Sequence, residues 1–139
     1  MLSKKVLSSI PYSIRTIRRL AAVSLDSDIT FQQFRILNLT FEGMSQTQMA
    51  QNNQVSMAAI SKMVDALVKR GFLVREEGED RRCLTLKLSA EGSRIRKVVT
   101  IQVEKELDSN FKKLTKDEQN DLKKGLDVLD KLMGFVNEK

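Results

Sequence analysis

The sequence predicts a mainly α-helical chain of six helices, with a single two-stranded hairpin between the fourth and the fifth. Three observations carry this. Apolar residues recur at three- and four-residue spacing along most of the chain. Three Ser/Thr-x-x-Gln/Glu boxes mark helix starts at Thr30-Phe-Gln-Gln33, Ser45-Gln-Thr-Gln48 and Thr115-Lys-Asp-Glu118. Between Gly71 and Ser89 the period changes to two, as a strand requires.

The elements follow in order. Ile10, Ile14, Ile17 and Leu20 or Ala21 form an apolar stripe that predicts a first helix from about residue 10, with Pro11 in its first turn. In each box the hydroxyl caps the amide three residues on while the Gln or Glu reaches back. The boxes predict helices over 31–41, 46–52 and 116–136. Ser56 and Ser89 act as simpler caps for helices over 57–70 and 90–111. Gly43 and Gly71 stand where helix stops are needed. Phe72-Leu-Val74 is a short β-prone run. Beyond a charged turn, Leu84, Leu86 and Leu88 alternate with Cys83, Thr85 and Lys87.

Composition narrows the function. The 139 residues suffice for one domain with a helical extension, and 41% of them are hydrophobic. There is no histidine, so the commonest general base and metal ligand are missing. A single cysteine, Cys83, forms neither an intrachain disulfide nor a cysteine metal cluster. No nucleophile–base pair is visible. The expectation is a protein that is not an enzyme and takes no cofactor and no metal. The start, MLSKKVLSSIPYS, lacks the apolar core of a signal peptide, and no run nears the ~18 apolar residues of a membrane helix. A cytoplasmic location with no membrane partner is expected. The net charge is +6, spread along the chain rather than gathered in one tail, which suits a polyanion partner without specifying one.

Residues 45–70 are the sharpest feature: a short helix, a turn at about 52–55, and a second helix. Ile60, Met63, Val64 and Leu67 share one face of that second helix, which must be buried. Met57, Ala58, Ser61, Lys62 and Asp65 take the other positions. A helix-turn-helix inserts the first turns of its second helix into the major groove, about 12 Å wide. Small residues at Ala58 and Ser61 permit close approach, Ser61 can bond a base edge or phosphate, and Lys62 supplies charge. Ser45, Gln46, Thr47 and Ser56 supply hydroxyl and amide groups for phosphate at the helix starts. The bland alternative is that Ala58 and Ser61 are small residues on an ordinary exposed or packed face. The hairpin that follows at once argues against it by making the unit a winged helix-turn-helix.

Residues 30 to 92 resemble the MarR family of winged helix-turn-helix transcription regulators. The matching stretches are ITFQQFRIL, MSQTQMAQNNQVSMAAISKMVDALVKRGFLVRE and EDRRCLTLKLSAEG. The resemblance implies that Asp80 buttresses the wing and Arg82 reaches the minor groove, with Arg81 a phosphate contact or a partner for the acidic turn. It also implies a DNA-binding domain over 30–89. Residues 1–29 and 90–139 would form a helical dimerisation region, and the homodimer would read near-palindromic duplex DNA. The long apolar stripes of the helices over 90–111 and 116–136 suit such a partner. A small anionic or aromatic effector would sit between the first helix, the helix over 31–41 and that over 90–111, with Arg15 or Arg18 as its counter-charge. Cys83 reads as a plain small residue rather than a redox sensor. The wing is rich in acid, at Glu76, Glu77, Glu79 and Asp80. The alternative is therefore a winged-helix protein–protein interaction module with weak or no operator binding.

Overall fold

The computed structural model describes residues 1–25, 29–53, 55–77 and 84–138. They form six helices and one hairpin: α1 (Leu2–Ser24), α2 (Phe31–Phe41), α3 (Gln46–Asn53), α4 (Met57–Lys69), β1 (Leu73–Glu77), β2 (Leu84–Leu88), α5 (Ala90–Phe111) and α6 (Lys116–Asn137). The chain divides into two compact units, Met1–Val103 and Glu104–Lys139.

All three capping boxes form. Thr30, Ser45 and Thr115 accept from the amides of Gln33, Gln48 and Glu118 at 3.1–3.2 Å, and each partner side chain accepts the cap residue's own amide in return. The stops of α2 and α4 are equally regular. Gly43 and Gly71 take φ of +86° and +82°, which only glycine adopts without strain. The Gly71 amide donates to Val68 and that of Phe72 to Leu67, while Gly43 and Met44 repeat the pattern on Thr40 and Leu39. Each helix thus ends in the same double-bonded left-handed turn.

The first helix differs from its expected start. α1 begins at Leu2, so Pro11 lies inside it rather than in its first turn. A proline in a helix interior leaves the carbonyl four residues back without its donor, which costs about 3 kcal/mol or more. Residues 2–9 contain no other breaker, and the helix continues through.

The main core gathers Ile29, Ile36, Leu37, Met49, Ile60, Val64, Leu67, Phe72 and Leu73 from α2, α3, α4 and the start of the hairpin. Leu86 and Leu88 of β2 and Ile95 of α5 pack on its margin. A smaller cluster of Ala21, Phe34 and Val99 ties α1 and α5 to α2. The hairpin is antiparallel, with Leu73 opposite Leu88 and Arg75 opposite Leu86, so Leu73, Leu86 and Leu88 share the inner face. In the second unit α6 has no buried residue, and Leu122, Leu126, Val128, Leu132, Phe135 and Val136 are exposed along it.

The base of the hairpin is fixed by a crossing of backbones. The Ser89 amide donates to the Phe72 carbonyl at 3.1 Å, and its hydroxyl donates to the Gly71 carbonyl. That hydroxyl also accepts from the Gly92 amide at 3.0 Å, capping α5. A β-carbon at Gly92 would lie 2.1 Å from the Phe72 carbonyl oxygen, closer than any real contact. Gly92→Ala is therefore expected to destabilise the fold by about 1–3 kcal/mol, the range for overpacking. Thermal unfolding followed by circular dichroism checks this, and an unchanged melting temperature refutes it.

Candidate nucleic-acid interface

Packing of α4 on α3 determines which side chains of residues 45–70 face outward. Ile60, Val64 and Leu67 are at most 1% exposed, so the opposite side of α4 must be wet. That side presents Met57, Ala58, Lys62 and Asp65, all exposed. Ser56 caps the helix, accepting from the Ala59 amide at 3.1 Å. Met57 and Ala58 thus stand clear of the core at the start of α4. Such a helix start attracts anions.

The predicted contact residues fall into three groups. Met57, Ala58 and Lys62 lie together on the outward face of α4, with Ser56 at its start. Ser61 is half-buried at the edge of that face. Ser45 and Thr47 are exposed at the start of α3, whereas Gln46 is half-buried between them. The Ser45 hydroxyl is already engaged by the Gln48 amide at 3.2 Å, so its lone pairs serve the cap first. Asp80, Arg81, Arg82 and Cys83 lie outside the described residues.

Several contacts escaped the sequence reading. Arg75 of β1 forms an ion pair with Asp65 of α4, and Lys87 pairs with Glu76 across the hairpin at 2.7 Å. Two acids that would repel phosphate are thereby paired. Arg70, the last residue of α4's capped end, stacks on Phe72 at 4.9 Å and donates to the Gln33 side chain at 3.4 Å. Arg96 of α5 lies 3.6 Å from the ring centre of Phe41 and bonds Asn38 at 3.4 Å, joining α5 to α2. Opposite charges ten residues apart, at 65 and 75, are the one signal that could have suggested a helix-to-strand pair.

Arg18 of α1 stacks on Phe31 at 4.8 Å and lines a cavity of about 220 Å³ together with Gln32, Arg35, Asn53 and Met63. That cavity opens between α1, α2 and the α3–α4 pair, not between α1, α2 and α5. Arg15 is exposed and does not line it. Among the described residues no helix is long and apolar enough to cross a membrane.

Comparison with known proteins places these features. Residues 29–84 match the MarR family, a span that runs from the start of α2 into the hairpin. The HTH-type transcriptional repressor YetL of Bacillus subtilis is 28% identical over 112 residues. The match takes in 77% of this chain, which spans only 63% of the length of that curated relative. The wild-type apo MarR of E. coli superposes with a TM-score of 0.71 at 26% identity, over 86% of this chain and 93% of its own. A MarR of Staphylococcus aureus, solved in complex with salicylate and kanamycin, superposes with a TM-score of 0.76 at 19% identity, over 100% and 95% of the two chains. The latter likeness is one of fold.

Proposed function

We propose that this chain is a MarR-family member, a homodimeric transcription regulator that binds duplex DNA with α4 in the major groove. The observation that carries this is the outward face of α4, where Met57, Ala58 and Lys62 lie clear of the core beside the Ser56 cap. Its narrow, mildly basic surface suits groove entry, and the hairpin follows immediately to flank it. Ser45 and Thr47 at the start of α3 complete a phosphate-facing set. The resemblance assigns the minor-groove contact to Arg82, with Asp80 to orient it and Arg81 beside it. Of the wing acids that favour a protein-binding module, Glu76 is paired by Lys87, and the α4 acid Asp65 is paired by Arg75.

Dimerisation is supported by apolar surface that each unit leaves uncovered: Leu2, Leu7, Tyr12, Ile14 and Ile17 on α1, and the leucines of α6. A two-fold pair would set two copies of α4 about 34 Å apart, one turn of DNA, and favour a near-palindromic operator. The cavity beside Arg18 and Arg35 suits a small anion with an apolar body, since 220 Å³ is below the ~300–1,000 Å³ of ordinary ligand pockets. A regulator of this kind works in the cytoplasm and performs no catalysis.

Three measurements test this reading. Fluorescence anisotropy on genomic duplexes should show affinity falling steeply with salt. Lys62→Ala should reduce the slope of log affinity on log salt by about 0.9, one phosphate's share. No detectable binding at low salt refutes DNA recognition. Sedimentation at micromolar concentration should give twice the 15.8 kDa chain mass, and a single-chain mass refutes the dimer. Millimolar salicylate should weaken DNA binding by the wild type but not by Arg18→Ala. An equal response of both proteins removes Arg18 from the effector site.

A further inference from the structure

Asp65 is the only acid on α4, and it lies on the same exposed side as Lys62. Its carboxylate Oδ1 meets Nη2 of Arg75, whose side chain is 28% exposed while that of Asp65 is 60% exposed. Arg75 stands on the inner side of β1, two residues beyond the buried Leu73 and opposite Leu86. The pair therefore runs from the middle of α4 to the middle of the hairpin. The chain joins these two elements only through the Gly71 turn. Leu73 and Leu88 anchor the base of the hairpin, and farther along the pair supplies a polar tie to α4.

We infer that the Asp65–Arg75 pair is a positioning element for DNA binding, holding the hairpin at a fixed angle to α4 and keeping the α4 carboxylate off the phosphates. This rests on the DNA-binding reading above. The guanidinium suits the task, because a planar fork bonded to a carboxylate fixes direction as well as charge. A partly exposed pair contributes little to global stability. Its value lies in placing two contact elements relative to each other, where a small displacement is costly.

The reading differs from one in which Arg75 touches phosphate itself. A direct contact predicts that freeing Arg75, by Asp65→Ala, maintains or strengthens binding. A positioning role predicts the opposite: Asp65→Ala and Arg75→Ala each weaken binding roughly three- to thirtyfold, and the double variant is no worse than either single one, as coupled residues behave.

The test uses the full chain and a duplex that the wild type selects from a randomised pool. Affinities are measured for both single variants, the double variant, and the exchanged pair Asp65→Arg with Arg75→Asp. Melting temperatures are measured alongside. Non-additive losses at unchanged melting temperature, with affinity partly restored in the exchanged pair, support the inference. Tighter binding by Asp65→Ala, additive losses, or no recovery in the exchanged pair overturns it. If Arg75→Ala fails to fold, Arg75→Lys takes its place, and its retention of full affinity likewise overturns the directional role. If the wild type selects no duplex, the DNA-binding reading itself fails, and that outcome is distinct from selection followed by indifferent variants.

Discussion

The close approach of α5 to the Phe72 carbonyl is the contact on which the rest of the first unit depends. One short stretch, Gly71-Phe72, ends α4, begins the hairpin and receives the first turn of α5. Each demand restricts the residue differently. Gly71 must adopt positive φ, Phe72 must fill the core while its carbonyl accepts from Ser89, and Gly92 must lack a side chain altogether. The Ser89 hydroxyl bonds both sides and so ties the turn before the hairpin to the start of α5. The start of α5 is fixed at this crossing, and Ile95, Arg96 and Val99 then hold the helix against the rest of the unit.

Local chemistry explains why much of this architecture could be read from residues alone. Capping boxes, glycine stops and strand alternation act within a few residues of one another, so their signatures survive in linear order. Thr30, Ser45 and Thr115 all cap as their spacing requires. The start of α1 is not legible in this way, because Pro11 marks a first turn strongly, yet the residues before it propagate a helix regardless. The candidate interface was legible as a set of outward positions on α4, since burial of Ile60, Val64 and Leu67 leaves no other choice. The partial burial of Ser61 and Gln46 was not, because it depends on neighbours distant in sequence. The same holds for the Arg75, Arg96 and Arg70 contacts, whose partners lie ten, fifty-eight and thirty-seven residues away.

Arginine does a particular job in this domain. Arg18, Arg70 and Arg96 each lie over an aromatic ring, on Phe31, Phe72 and Phe41. A planar guanidinium can stack flat on a ring and still donate hydrogen bonds from its edge. The chain's positive charge is therefore partly structural. Its excess of basic residues overstates the charge free to meet a polyanion, and the exposed Lys62 gains weight accordingly.

Gln33 shows what such sharing does to motion. Its side-chain oxygen accepts from the Thr30 amide at 3.0 Å to close the start of α2, and from Arg70 at 3.4 Å beyond the end of α4. Helix ends normally fray separately and at small cost. Here the opening of one end takes a partner from the other. One side-chain oxygen thus links the first turn of α2 to the capped end of α4.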